Sequence, residues 1–326
     1  MIMAIAAIVV GLIILVWSAD RFVDGATATA SRLGLSPLLI GMLVIGFGTS
    51  APEMMVSALA ASQGNPGLAL GNAYGSNIMN IALIVGLVAL LSPLSVDSQV
   101  VRRELPILAG VTLLSFWVLQ DGEVSRLDAG GLLLALAIVL GVSIVLSQRQ
   151  SRHQNEPLVT GVEQQPAAQT MSLKRGIAWT LIGLVMLVVS SRALVWGAVW
   201  IASSLGVSDL VIGLTVVAIG TSLPELASSI AAVRKQEHGL VLGNVVGSNL
   251  FNTLAVVGLA GVIDPIDVDP VVLVRDWPVM AALSLVLLVC GIGVKGAGRI
   301  NRIEGAVLLL SFVAYTAWLL MTIVDA

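Results

Sequence analysis

Two glutamates lie in stretches that are otherwise apolar enough to sit in a lipid bilayer. Glu53 belongs to VIGFGTSAPEMMVS, residues 44–57, and Glu225 belongs to VVAIGTSLPELASS, with an offset of 172 residues between the two motifs. A carboxylate at the middle of a membrane costs several kcal/mol unless it is paired, solvated or protonated. Because no Lys or Arg stands near that depth in either stretch, we predict that a bound cation supplies the missing positive charge.

Each glutamate directly follows a break in its helix. Pro52 and Pro224 have no N–H to donate and clash with the preceding turn, so the helix should stop and restart there. Irregular backbone at membrane depth is tolerated where it lines a cavity, and its freed carbonyls can coordinate a cation. The hydroxyl residues that would add oxygen ligands beside the two breaks are Thr49, Ser50, Thr221 and Ser222.

The spacing of serine and glutamate at the two breaks also fits a purely structural role. Ser50 with Glu53, and Ser222 with Glu225, have the S-x-x-E spacing of a capping box for the restarting helix. On this alternative the motif would only let a membrane helix kink. A cap needs only the serine, so this role leaves the buried carboxylate unexplained.

Polar side chains recur every four residues along one helical face in the segment that follows each glutamate. The two sets are Asn72, Ser76 and Asn80, and Asn244, Ser248 and Asn252. The members that we predict as ion ligands are Asn80 and Asn252. The first asparagine of each set has an alternative role in holding neighbouring helices together.

The composition is that of an integral membrane protein. Of 326 residues, 57% are hydrophobic and 11% are charged, with a mean hydropathy of +1.02, whereas a soluble domain carries about 25% charged residues. The single cysteine, Cys290, excludes a disulfide framework and a cysteine-rich metal site. We expect the lipid bilayer as the surrounding medium, no cofactor, no nucleic-acid partner and no obligate protein partner.

The hydropathy pattern predicts an all-α membrane protein with ten transmembrane helices. Most of the apolar stretches are long enough to cross a hydrocarbon core about 30 Å thick. The predicted segments are 3–32, 37–61, 68–91, 104–119, 128–147, 173–203, 208–232, 239–262, 276–293 and 303–322.

A constant offset of 172 residues aligns the two halves of the chain without gaps. Between residues 67 and 87, 12 of 21 positions are identical to their partners, including Asn, Ser and Gly. We predict a first five-helix repeat over 1–147, a cytoplasmic linker over 148–172 and a second five-helix repeat over 173–326. Since five crossings is an odd number, the second repeat should be inverted relative to the first.

The basic residues predict how the chain is oriented in the membrane. If the N-terminus lies outside, 12 of the 16 Lys and Arg residues fall in inner loops or at inner helix ends, which satisfies the positive-inside rule. Both termini should then face outward. We expect the membrane to be the inner (plasma) membrane of a bacterium.

An all-oxygen site with two flexible carboxylates suits a hard cation. Ca²⁺ accepts roughly six to eight such ligands without the strict octahedron that Mg²⁺ demands. Two glutamates also neutralise one Ca²⁺. The same oxygens can hold Na⁺ instead, which makes exchange at a shared site physically natural.

The motifs GTSAPE with GNAYGSNIMN, and GTSLPE with GNVVGSNLFN, resemble the two alpha repeats of the calcium/cation antiporter superfamily, specifically the bacterial sodium/calcium exchangers. The resemblance spans nearly the whole chain and implies ten helices, inverted repeats and sodium-driven calcium extrusion. It implies that Glu53 and Glu225 are the principal Ca²⁺ ligands. The residues that it implies for completing the calcium and sodium sites are Thr49, Ser50, Ser76, Asn80, Thr221, Ser222, Ser248 and Asn252.

One position departs from part of this family. Some relatives have Asp where Asn252 stands, and in the family that Asp is associated with potassium dependence. The resemblance therefore implies exchange without a potassium requirement.

The sequence leaves other functions open. A proton/calcium exchanger of the same fold would titrate the glutamates in place of binding sodium, and a passive cation channel would need only a continuous pore. An intramembrane carboxyl protease would need two acids that share a proton and a water, which an oxygen-rich Gly/Asn/Ser cage disfavours. We therefore predict no enzyme, but a secondary active antiporter that exchanges Na⁺ for Ca²⁺ by alternating access at a midplane site.

Overall fold

The structure is a computed structural model, which describes residues 1–33, 36–97, 100–153, 171–205, 218–292 and 298–324. These residues are almost entirely helical. The helices are α1 (Ile2–Leu33), α2a (Leu38–Thr49), α2b (Ala51–Ser62), α3 (Leu68–Leu91), α4 (Leu105–Leu119), α5 (Arg126–His153), α6 (Leu173–Ser204), α7a (Ala218–Thr221), α7b (Leu223–Arg234), α8 (His238–Ile263), α9 (Val272–Ile292) and α10 (Arg302–Val324).

Seven of these helices are long and apolar enough to cross a membrane, within the part of the chain that the structure describes. The pair α2a and α2b, bent by 41° at its break, makes an eighth if it is counted as one span. The start of the predicted segment 208–232 lies outside the described residues. The prediction of a helical membrane protein is confirmed, and the count of ten crossings stays a prediction.

Helices α3 and α8 form the centre of the molecule. In their most apolar windows 72% and 83% of residues are buried, against 17% in α5 and 11% in α10. Exposed helices as apolar as α5 and α10 are stable only when lipid surrounds them. Helices α3 and α8, which carry the repeated Asn and Ser sets, are instead enclosed by protein.

Helices α1 and α6 pack antiparallel through small residues. A Cβ added at Gly25 would lie 2.7 Å from the carbonyl oxygen of Gly176, and one added at Gly197 would lie 2.6 Å from that of Ala4. Such residues let membrane helices approach closely. They recur every seven positions in this seam, as Ala4, Gly11, Ser18 and Gly25 in α1, and as Gly176, Gly183, Ser190 and Gly197 in α6.

Wider π-helical turns occur at matching places in the two halves. Met79–Val85 in α3 corresponds to Asn252–Val256 in α8, and Val100–Glu104 before α4 corresponds to Val272–Asp276 at the start of α9. Such turns are frequent at functional sites because they widen the helix and redirect side chains. The first pair carries the predicted ligands Asn80 and Asn252.

Two short antiparallel ladders, which we did not predict, join loops of the two halves. Strand β1 (Leu94–Val96) pairs with β4 (Gly298–Ile300), and β2 (Glu123–Val124) pairs with β3 (Ile266–Asp267). Strands of two or three residues are too short to show an alternating pattern in the sequence. Each ladder ties a loop of one half to a loop of the other.

Helix α5 runs past residue 148, where the linker was predicted to start, and the division of the chain into two repeats and a linker stays a prediction. Helix α5 continues to His153, because the sequence SQRQSRH contains good helix formers and no glycine or proline. Residues 154–170, which make up most of the predicted linker 148–172, lie outside the described residues.

Candidate cation-binding site

Glu53 and Glu225 stand at the start of the second parts of the two broken helices. Each is the third residue of its helix, α2b or α7b, where the helix dipole and the free N–H groups favour a negative charge. The two residues are 0% and 1% exposed. Their carboxylates, one from each half of the chain, lie close to each other.

The hydroxyl groups around the glutamates are arranged crosswise between the halves. Thr221 and Ser222 of the second half present their side chains to Glu53, and Thr49 and Ser50 of the first half present theirs to Glu225. Ser50 Oγ donates to Glu225 Oε1 at 3.4 Å. The two repeated motifs therefore lie together, and this candidate site takes side chains from both halves of the chain.

Glycines allow this contact between the halves. A Cβ added at Gly46 would lie 2.9 Å from the backbone nitrogen of Ser248, and one added at Gly247 would lie 2.5 Å from the carbonyl oxygen of Met42. Helix α2a can therefore lie directly on α8. At this approach Thr49 Oγ1 is 3.2 Å from Asn244 Oδ1 and 3.5 Å from Ser248 Oγ.

The first asparagine of each polar set holds the glutamate-bearing helix in place. Asn72 Nδ2 donates to the backbone carbonyl of Glu53 at 3.2 Å and to Ser57 Oγ at 2.9 Å. Asn244 Nδ2 makes the equivalent bond to the carbonyl of Glu225, also at 3.2 Å. These bonds fit the helix-packing alternative for these two amides, because their N–H groups donate to the neighbouring helix.

The capping box, which was the alternative role for the two breaks, is not formed at either of them. Ser50 and Ser222 occupy the N-cap positions, but neither side chain accepts a hydrogen bond from the backbone of its helix. Ser50 Oγ turns instead to Glu225 of the other half. The serine at the break is therefore directed at the carboxylates and not at its own helix end.

Acceptor oxygens are left unpaired on these helices. No Lys or Arg of the described residues lies within ion-pair distance of either glutamate. Both Oε atoms of Glu53, Oε2 of Glu225, and the Oδ1 atoms of Asn77, Asn80 and Asn252 are buried without a hydrogen bond. Buried polar groups are normally satisfied, so unpaired oxygens beside two carboxylates suit a cation.

The chemistry of the donor set narrows the kind of cation. Nowhere in the described ranges do three or more His, Cys, Asp or Glu side chains gather, so ligands beyond the two carboxylates here are neutral oxygens. Imidazole and thiolate ligands, which suit transition metals, are absent from this group of described residues. Hard cations such as Ca²⁺ and Na⁺ are bound by oxygens of this kind.

Sequence comparison identifies the family. The family model described as sodium/calcium exchanger protein matches residues 3–145 and 175–321, which together make up most of the chain. The protein belongs to the sodium/calcium exchanger family.

Relatives of this exchanger match along nearly their whole length. The putative antiporter CaxA of Alkalimonas amylolytica is 45% identical over 315 residues, which cover 97% of this chain and 98% of CaxA. Inner membrane protein YrbG of Escherichia coli (strain K12) is 40% identical, with 98% and 97% covered. The sodium/calcium exchanger MaX1 of Methanosarcina acetivorans is 33% identical, with 94% and 96% covered.

Solved structures share the fold of this exchanger. The sodium-calcium exchanger NCX_Mj, soaked with 10 mM Na⁺ and zero Ca²⁺, aligns with a TM-score of 0.81 at 31% identity, covering 97% of this chain and 98% of that one. The same protein soaked with 10 mM Na⁺ and 10 mM Sr²⁺ aligns with a TM-score of 0.80. The resemblance inferred from the repeated motifs is confirmed.

The remaining predicted ligands of the exchanger lie on the two central helices. Ser76, Asn80, Ser248 and Asn252 are all buried. Ser248 is joined to Thr49 at 3.5 Å, and Ser76, Asn80 and Asn252 make no hydrogen bond to a glutamate within the described ranges. The two asparagines keep unpaired Oδ1 atoms.

Three buried polar residues beside these ligands were not predicted from the sequence, and they are Asn77, Asn249 and Thr253. Asn77 Nδ2 donates to Thr253 Oγ1 at 2.8 Å, and Asn80 Nδ2 donates to Asn249 Oδ1 at 3.0 Å. Asn77 and Asn249 are partners in the 172-residue offset, and this match was the signal that could have revealed them. Because they stand one residue beyond the predicted helical face, the four-residue spacing passed over them.

Proposed function

We propose that this protein is a secondary active antiporter that exchanges Na⁺ for Ca²⁺ across the membrane by alternating access. The observation that carries the proposal is the pair Glu53 and Glu225, which are buried together without a basic partner in the described residues. Two such charges are tolerable in a membrane only with a compensating cation. One Ca²⁺ balances both, and Na⁺ ions can replace it on the same oxygens.

In this proposal the cation is cargo, held between the two halves. Glu53 and Glu225 are the principal Ca²⁺ ligands. The neutral oxygens that complete the calcium and sodium sites come from Thr49, Ser50, Ser76, Asn80, Thr221, Ser222, Ser248 and Asn252. Support for this set comes from the crosswise hydroxyl groups, the serine that turns away from its cap, and the unpaired Oδ1 atoms. The names of MaX1 and NCX_Mj as sodium/calcium exchangers agree with it.

We further propose ten transmembrane helices in two inverted repeats, 1–147 and 173–326, joined by a cytoplasmic linker. The antiparallel packing of α1 on α6 supports inversion, because these are the first helices of the two halves and point in opposite directions. The matched π turns and the paired ladders support it as well. Both termini would face outward, in a bacterial inner membrane, as the charge bias of the loops indicates.

The test is ion flux in proteoliposomes that contain the purified protein. Vesicles loaded with Na⁺ are diluted into ⁴⁵Ca²⁺, with outside Na⁺ varied and with a pH gradient of either direction as a separate arm. We expect uptake that follows the Na⁺ gradient and is inhibited by outside Na⁺. Uptake driven by the pH gradient alone would replace the proposal with proton/calcium exchange, and Ca²⁺ flux without any counter-ion would replace it with a channel.

A further inference from the structure

Two buried asparagines are next to proposed ligands in the sequence but are not themselves proposed as ligands. Asn77 follows Ser76 in α3, and Asn249 follows Ser248 in α8, and each is 1% exposed. An amide in such a place costs free energy unless its polar atoms are used. What each of these amides contacts shows what it can do for the site.

Asn249 determines which atom Asn80 offers to an ion. Asn80 Nδ2 donates to Asn249 Oδ1 at 3.0 Å. The oxygen and the nitrogen of an amide lie on opposite sides of one planar group, so fixing Nδ2 fixes Oδ1 as well. Oδ1 of Asn80 is left buried and unpaired, which is the state in which it can bind a cation. A rotated amide would present its N–H groups and repel the ion.

The other half does not repeat this contact. With the 172-residue offset, the equivalent bond would run from Asn252 Nδ2 to Asn77 Oδ1, and both of these atoms are unpaired. Asn77 Nδ2 donates instead to Thr253 Oγ1 at 2.8 Å. The residue equivalent to Thr253 in the first half is Ile81, which offers no such acceptor. One threonine therefore holds Asn77 in a different orientation from its partner.

We propose that Asn249 is a positioning residue, which acts through Asn80 by turning its Oδ1 toward the transported ion. The proposal rests on the function proposed for the site. Asn80 is then a pre-oriented ligand, whereas Asn252, whose amide is not held, adapts to whichever ion arrives. The two halves contribute the same residue type at equivalent positions with unequal freedom.

A double-mutant cycle on the full-length exchanger in proteoliposomes tests this. Asn249→Leu should raise the KM for Ca²⁺ in Na⁺-driven uptake about fivefold, with kcat changed much less, because the ligand is misoriented and the rest of the protein is intact. In the Asn80→Ala background the same substitution should have no further effect on KM. Independent effects that multiply in the double variant would overturn the proposal.

Two variants separate positioning from packing. Asn77→Leu is the same substitution at the equivalent buried position, where the amide donates to Thr253 and makes no hydrogen bond to Asn80, so its effect should multiply with that of Asn80→Ala. Asn249→Asp keeps an oxygen that accepts a hydrogen bond from Asn80 in either protonation state. Its KM for Ca²⁺ should therefore lie nearer to the wild-type value than the KM of Asn249→Leu does. A KM equal to that of the leucine variant would count against positioning.

Two further results are informative. If Asn249→Leu does not reach the membrane, Asn249→Ala completes the cycle, because it removes the acceptor without adding bulk. If wild-type vesicles show no Na⁺-driven Ca²⁺ uptake at all, the proposed function fails and this inference falls with it. Uptake by the wild type together with a multiplicative cycle rejects the inference alone.

Discussion

Lys235 fastens the end of α7b to the first helix of the chain, since its Nζ lies 2.7 Å from Asp24 Oδ1 and donates to the backbone carbonyl of Asp20 at 2.7 Å. The positions equivalent to Lys235 and Asp24 in the other half are Gln63 and Trp196, which cannot form an ion pair. This attachment between a broken helix and the α1–α6 pair therefore exists in one half only.

Lys235→Gln should remove this attachment, since it places in the second half the residue that the first half already has. The side chains of Lys235 and Asp24 are 29% and 39% exposed, so solvent screening limits the coupling between them to about 0.5–1 kcal/mol. Thermal unfolding of Lys235→Gln, Asp24→Asn and the double variant in detergent measures it. The coupling should shrink as salt is raised, and no coupling at low salt would contradict the prediction.

Glu53→Gln and Glu225→Gln should each insert normally and lose nearly all Ca²⁺ transport, because each removes one of the two charges that balance the ion. Loss of a buried, unpaired charge should not weaken folding, so the thermal midpoint should be equal to or higher than that of the wild type. Glu123→Gln, at an exposed position of strand β2, is the matched control and should transport at the wild-type rate. Wild-type flux in either site variant would refute a shared site.

Asn252→Asp should change ion coupling more than stability. It adds a carboxylate at a buried position whose amide atoms are unpaired, and this charge must take up a proton or recruit another monovalent cation. Na⁺-driven Ca²⁺ flux should then depend more steeply on pH or respond to K⁺. Asn80→Asp is the comparison, and its effect should differ because Asn249 faces it. Unchanged pH and K⁺ profiles in both variants would place these residues outside the ion site.

Gly25→Leu should separate α1 from α6, because a Cβ at this position would already lie 2.7 Å from the carbonyl oxygen of Gly176. We expect a loss of about 1–3 kcal/mol or more in stability, the usual cost of overpacking. Gly130→Leu is the control, since a Cβ at Gly130 has no neighbour within 4 Å in the described residues. The thermal midpoint of the control should be unchanged or slightly raised. Equal midpoints in both variants would mean that the seam is not tightly packed.

The sequence predicted the helices and the pairing of the two motifs because these depend on strong, local signals. Pro52 and Pro224 mark the breaks, and the 172-residue offset shows which residues are equivalent. The meeting of the two glutamate-bearing motifs was predicted from one physical requirement, that a compensating cation is needed for two carboxylates buried in a membrane.

The finer arrangement could not be predicted, because it depends on which of several equal partners a side chain selects. Ser50 has the spacing of a helix cap and is used across the halves instead. Asn77 and Asn249 are identical in type and equivalent in position, yet their amides point to different partners. The packing of α3 against α8, with Thr253 where the other half has Ile81, decides between the two amide arrangements.

The seam between α1 and α6 also has the geometry of an interface between two copies of the same surface. The small residues of α6 are those of α1 displaced by 172 positions. Each half therefore presents the same small-residue surface to the other half, and the two helices that carry it run in opposite directions. Such a surface is self-complementary about a twofold axis. Because the two copies belong to one chain, each can carry residues that the other lacks, as Thr253 and Lys235 show, whose equivalents are Ile81 and Gln63.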